Sequence, residues 1–204
     1  LNFVVNVVLW VIIAVLTVLL ILRLFVFTNI KVSGESMLPT YNSGETVFVN
    51  ELTKPKRGDV IVFYKHNVDN KFKAKFASPK DSGKGGKYEK LIKRVVAVEG
   101  DKIWVEKKEE TLNDYIVVIE TADGETLYED YYKRGDKPLY QFIINNDTDL
   151  VSTGLGNLRN HTKGNPLVIS AGNVYVMGDN RGNSNDSRFL GQIPLDRLFG
   201  VVMN

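Results

Sequence analysis

The sequence predicts a mainly β fold: one N-terminal transmembrane helix, then an antiparallel β-sheet domain with a smaller inserted β unit. Three observations lead there. Residues from Phe3 to Phe27 form an almost unbroken apolar run without an acidic residue. Beyond it, short runs of β-branched and aromatic residues alternate with turn formers, the pattern of strands and their connections. No later stretch keeps a helical period over three turns, so helices should contribute little.

The apolar run comes first. At about 1.5 Å per residue it makes a helix of roughly 37 Å, against a hydrocarbon core of about 30 Å. Only Asn2, Asn6 and Thr17 interrupt it before Arg23. A helix buried in a soluble core would rarely be apolar on all faces over this length. A cleaved secretory signal would be shorter, begin basic and exit through small residues; the exit here is Leu24-Phe25-Val26-Phe27. Residues 1–28 are expected to be an uncleaved anchor in the lipid bilayer. Charge does not orient it, because Arg23 and Lys31 flank the far end and nothing basic precedes the run.

The remaining chain divides into a core domain, 29–105 and 173–204, around an inserted β subdomain, 106–172. In the core, Thr46–Val49, Val60–Tyr64, Leu91–Val98, Ile103–Val105 and Val174–Met177 read as strands. Asn42-Ser43-Gly44, Arg57-Gly58-Asp59, Glu99-Gly100-Asp101 and Ala171-Gly172-Asn173 read as turns between them. The insertion holds strand signals at Tyr115–Ile119, Leu139–Ile144 and Leu167–Ile169, with turns such as Ala122-Asp123-Gly124 and Gly154–Asn157. Residues 66–90 are rich in Lys, Gly and Ser and have too few apolar side chains to pack, so a mobile loop is expected.

Composition removes several classes of function. Without Arg23, 25 of the 26 basic residues face 24 acidic ones, which argues against nucleic acid as a partner. The lysines between Lys71 and Lys93 read as a solvated loop in preference to a lipid contact. With no cysteine in the chain, cysteine proteases and Cys-ligated zinc sites are excluded, and no metal or cofactor is expected.

The residues that carry chemistry begin at Ser36, in the glycine-containing turn Ser33–Thr40 close behind the anchor. A serine hydroxyl needs a base before it attacks a carbonyl. The two histidines, His66 in the Lys-rich loop and His161 in a polar run, lie beside no motif and read as surface residues. Lys93 is the better base. Along a strand, Leu91, Lys93, Val95 and Ala97 share one face and Ile92, Arg94, Val96 and Val98 the other. A lysine so placed can snorkel; turned inward, it loses solvation and its pKa falls. From a value near 10.4, about one lysine in a few thousand is neutral at pH 7, and a depression of a few units makes it an adequate base.

Four segments in this order resemble the boxes of the bacterial type I signal peptidases, membrane serine proteases with a serine–lysine dyad. They are Gly34–Thr40, Arg57–Phe63, Lys93–Asp101 and Gly178–Arg188. The resemblance implies the fold shared with self-cleaving Ser/Lys repressors, Ser36 as nucleophile and neutral Lys93 as general base. It implies that Ser184 hydrogen-bonds Lys93, while Asp186 and Arg188 form a structural ion pair; Ser187 has no such role. The Ser36 main-chain N–H is expected in the oxyanion hole. Gly34 stands where some members carry a second, hydroxyl donor. Ile30, Val32, Met37 and Ile92 match positions lining shallow pockets for small side chains at −3 and −1 of the cleavage site, with Gly34 in the same binding stretch.

Preprotein signal peptides are the implied partners, and the catalytic domain is implied to lie on the extracellular face of the cell membrane. About nine residues between the anchor and Ser36 reach at most roughly 30 Å, which keeps the nucleophile near the bilayer. The single span resembles Gram-positive members. A specialised or non-cleaving membrane-anchored assembly factor for surface fibres, on the same fold, is the alternative.

Overall fold

The computed structural model describes residues 2–107, 114–128, 142–143 and 155–203. Helix α1, Asn2–Phe25, has mean hydropathy 3.0 over Asn2–Leu22, and none of that stretch packs against the rest of the protein. A helix apolar all round with no protein neighbour matches a lipid environment, and α1 fits a single membrane span. Val26 alone separates it from the first strand.

The strands are β1 (Phe27–Lys31), β2 (Thr46–Asn50), β3 (Val60–Tyr64), β4 (Lys90–Val98), β5 (Lys102–Lys107), β6 (Asp114–Glu120), β7 (Thr126–Tyr128), β8 (Phe142–Ile143), β9 (Leu167–Val168), β10 (Asn173–Met177), β11 (Ile193–Pro194) and β12 (Leu198–Val202). The main sheet runs β1-β2-β12-β3-β4-β10-β11 and a second sheet β7-β6-β5-β9, with β8 on β6. All pairings are antiparallel. The mainly β fold behind an apolar helix is the one the sequence predicts. Most of the Leu139–Ile144 strand signal, and Gly154 of the Gly154–Asn157 turn, lie outside the described residues.

Burial on both faces explains why β3 reads as a continuous apolar run. Val60, Val62 and Tyr64 pack with Val32, Met37 and Ile92, while Ile61 and Phe63 pack with Val95, Val174 and Val176. Beside it, β4 follows the expected alternation only as far as Val95. A register shift opposite Tyr175 and Val176 inserts an extra residue, as a bulge does. Ala97, expected on the face of Lys93, instead joins Val96 in the core of the second sheet.

That core spans the expected boundary at 105/106. β5 crosses it, and Ile103, Val105, Val117 and Ile119 pack against Val96, Ala97, Tyr175 and Met177 of the main sheet. The second sheet therefore shares its core with the first. Residues 66–90 also depart from the expectation that they cannot pack. They hold helices α2 (Lys71–Lys75) and α3 (Pro79–Ser82), N-capped by Asn70 and Ser78. Ala74 and Tyr88 are buried in the main core. Two well-placed side chains and two caps suffice where composition suggested too little.

Candidate active site

Ser36 lies in the turn between β1 and β2. Its carbonyl accepts the Asn180 N–H at 3.0 Å, and Asn180 Nδ2 donates to the Glu35 carbonyl at 3.1 Å. Gly34 enters the turn with φ +86°, a left-handed conformation that costs glycine little. Its N–H donates to Ser43 Oγ at 3.2 Å. Among the described residues no hydrogen bond engages the Ser36 N–H.

Lys93 comes to Ser36 from β4. Its Nζ donates to Ser36 Oγ at 2.7 Å and to the Ile92 carbonyl at 2.7 Å. The residue is only 3% exposed. Burial disfavours the ammonium and lowers the pKa to about 8; Asp186 and Asp179 oppose this and Arg188 assists it. At that value about one molecule in ten carries the free amine at pH 7. A neutral amine keeps two N–H donors and gains a lone pair, so the Ile92 contact survives deprotonation while Ser36 Oγ–H turns to donate to Nζ. Sequence and structure agree in bringing Ser36 and Lys93 together. His66 is exposed, and His161 Nδ1 meets the Asn165 carbonyl.

The loop after β10 closes the site from beneath. Asp186 and Arg188 are fully buried and joined twice, Nε to Oδ1 and Nη2 to Oδ2, each at 2.8 Å. Arg188 Nη1 also donates to the Arg181 carbonyl at 2.8 Å, and Asp186 Oδ2 accepts the Gly178 N–H at 2.9 Å. Burial pushes the Asp186 carboxyl up, but Arg188 and the Gly178 N–H outweigh it and hold it below the ordinary carboxylate range. This is the ion pair the resemblance implies.

Ser184 departs from expectation. Its Oγ is buried without a hydrogen bond of good geometry, although it is near enough to Asp186 to favour the ionised carboxylate. The implied bond to Lys93 is not made, because Nζ is turned to Ser36 and Ile92. Ser187, expected to be a bystander, is buried and accepts the Val176 N–H at 2.9 Å, beside the irregularity that redirects β4 and β10. Gly178 is required by close approach: a Cβ there would lie 2.2 Å from Ser184 Oγ and 2.5 Å from the Ser36 carbonyl oxygen.

The family model for signal peptidase, peptidase S26, matches residues 4–203. The chain belongs to the signal peptidase family, peptidase S26. It is 30% identical to signal peptidase I of Bacillus caldolyticus over 185 residues, 89% of this chain and 80% of that protein. It is 32% identical to signal peptidase IB of Staphylococcus aureus over 191 residues, 91% of this chain and 80% of that one. A crystal structure of a signal peptidase I from Enterococcus faecalis V583 aligns with TM-score 0.37 and 20% identity, over 74% of this chain and 98% of that one.

In this signal peptidase family member the remaining motif residues tie the boxes to one another. Arg94 pairs with Asp179 at 2.8 and 2.6 Å and donates to the Gly58 carbonyl at 2.8 Å. Asp179 Oδ2 also accepts from Thr40 Oγ1. Arg57 pairs with Asp101 at 2.7 Å, whose carboxylate also accepts the Val98 N–H at 2.8 Å. Sequence reasoning gave Arg94, Asp179 and Thr40 no role. Their signal was present in Arg94, a charged residue among the apolar positions of β4, which calls for a partner.

The residues expected to bind substrate fall together. Val32, Met37 and Ile92 are buried in one apolar cluster, with Ile30 partly buried against it. Beside them runs an open edge. β4 pairs with β3 along its whole first half, but its pairing with β10 ends at Arg94 opposite Met177. Lys90–Lys93 thus have a strand on one side and, among the described residues, none on the other. A surface groove of about 520 Å³ lined by Lys54, Arg57, Val98, Glu99, Asn173 and Leu195 includes none of these residues.

Proposed function

We propose that the chain is a signal peptidase I that cleaves N-terminal signal peptides from exported preproteins, with Ser36 as nucleophile and Lys93 as general base. The observation that carries this is a buried lysine amine 2.7 Å from a serine hydroxyl. In the first step neutral Lys93 takes the Ser36 proton as Oγ attacks the scissile carbonyl. The Ser36 N–H is available to the oxyanion, where a fixed donor is worth most. Lys93 then gives its proton to the departing amine, which becomes the new N-terminus. In the second step Lys93 takes a proton from the water that attacks the acyl carbonyl, and returns it to Ser36 Oγ as the acyl–oxygen bond breaks and the acid product leaves.

Once Ser36 is acylated, its oxygen is a poorer acceptor for Lys93. The buried Ser184 hydroxyl, which lacks a well-formed bond of its own, is suited to take over that role and keep the amine aligned. An extended substrate adding to the open edge at Lys90–Lys93 would bind by main-chain hydrogen bonds. The small-residue preference at −3 and −1 is assigned to Ile30, Val32, Met37 and Ile92, whose apolar side chains cluster together. The short connection from α1 keeps the site at the membrane surface, with the catalytic domain on the extracellular face.

The test is incubation of the purified full chain with a preprotein, then sequencing of the product's new N-terminus. Cleavage after a small residue that has another small residue two positions upstream is expected. An intact preprotein under conditions where a known signal peptidase processes it would overturn the reading.

A further inference from the structure

Helix α2 presents an apolar feature that the catalytic site does not use. Ala74 is buried in the main core, while Phe72 on the helix and Phe76 at its C-cap are 63% and 57% exposed. The two rings pair with centroids 5.0 Å apart. Asn70 Oδ1 accepts the Lys73 N–H at 2.9 Å, and Lys71 Nζ donates to the Leu198 carbonyl at 3.2 Å. Held in this way, α2 cannot roll its aromatic face inward without expelling Ala74.

The position of α2 matters as much as its face. Lys75 pairs with Glu51 at 2.6 Å, and the same Glu51 oxygen accepts from Thr28 Oγ1 at 2.5 Å. The Glu51 N–H donates to the Val26 carbonyl at 2.9 Å, the residue between α1 and β1. A chain of contacts therefore leads from α2 to the point where the anchor enters the domain. Leu52, next to Glu51, is 74% exposed. Lysines stand at 71, 73 and 75 of the same helix.

We propose that α2 is a second membrane contact, in which Phe72 and Phe76 enter the interfacial layer of the bilayer beside α1 and Lys73 meets anionic headgroups. An exposed aromatic pair flanked by lysines suits that layer, where rings leave water and ammonium groups meet lipid phosphates. The adjacent anchor supplies continuity with the bilayer. One helix would leave the catalytic domain free to swivel; two contacts fix its tilt and the height of Ser36. The Lys-rich segment is thus a lipid-facing element at α2, where composition suggested a solvated loop. This inference does not rest on the cleavage reading.

The absence of cysteine makes the test direct. Single nitroxide labels are attached at Phe72→Cys, Phe76→Cys and Tyr128→Cys, the last on β7 of the second sheet. The full chain is reconstituted in mixed phosphatidylcholine and phosphatidylglycerol vesicles. Labels at 72 and 76 are expected to show an oxygen-to-nickel-chelate accessibility ratio severalfold above that at 128. Adding Lys73→Glu, or omitting phosphatidylglycerol, is expected to lower the ratio at 76. Equal ratios at all three sites would overturn the proposal. So would shielding from both reagents, which means a protein cover, or spin–spin broadening, which means a second copy of this chain.

Discussion

Two buried cations sit in the same site and are treated in opposite ways. Arg188 has a carboxylate of its own, with two 2.8 Å contacts to Asp186 and a further carbonyl acceptor. Lys93 is almost as buried, yet its direct partners are a hydroxyl and a carbonyl. The first charge is compensated and serves architecture. The second is not, and the cheapest response of a poorly compensated buried charge is to lose its proton. Within one loop and one strand, the presence or absence of a matched carboxylate separates a strut from the lysine proposed as base.

The largest test of this contrast removes each member of the dyad. Ser36→Ala and Lys93→Met should each lower kcat/KM by about a thousandfold or more, since neither partner works alone. Lys93→Met should not destabilise the fold at pH 7. The folded pKa lies below the unfolded one, so the ammonium costs stability below about pH 8. That cost fades as pH rises toward the unfolded value near 10.4. The melting temperature of Lys93→Met should accordingly exceed that of the parent at pH 7, with the gain shrinking toward pH 10. A variant less stable at pH 7 would mean that the lysine charge is better compensated than described.

Asp186→Asn should do the reverse, because it strands Arg188 in the interior. Breaking a buried pair from one side costs about 3–5 kcal/mol, measurable by urea unfolding in detergent. Stability within 1 kcal/mol of the parent would erase the contrast on which the reading stands.

Smaller effects sharpen it. Gly178→Ala must displace Ser184 or the Ser36 carbonyl, and should reduce kcat without unfolding the domain. Ser184→Ala should lower kcat by roughly ten- to a hundredfold with little change in KM if its hydroxyl aligns the amine after acylation; an unchanged kcat would remove that role. Ser187→Ala leaves the buried Val176 N–H without its acceptor and should cost about 1–3 kcal/mol of stability.

Much of this was legible in the sequence. The apolar run marked the anchor, short β-branched and aromatic runs marked β2, β3, β4 and β10, and four short boxes marked the segments that meet around Ser36 and Lys93. What escaped has physical causes. The irregularity beside Val96 is a register choice between β4 and β10, and alternation along a single strand cannot report it. The shared core of the two sheets depends on Tyr175 and Met177 meeting residues far away in sequence. Arg94 could be recognised as a charge beside the apolar residues of β4, but its partner Asp179 lies 85 positions on. In residues 66–90 composition misled, because Ala74 packs by position and not by size.

The claim on which all of this depends is that Lys93 is a lysine with a strongly lowered pKa. The acid limb of kcat/KM should fall about tenfold per unit below pH 8. Asp186, held ionised by Arg188, adds no step there. The most direct measurement is an NMR titration of the Lys93 side chain in the full protein, assigned by its disappearance in Lys93→Met. A midpoint near 8 is predicted. A Lys93 midpoint above 10 would contradict the account.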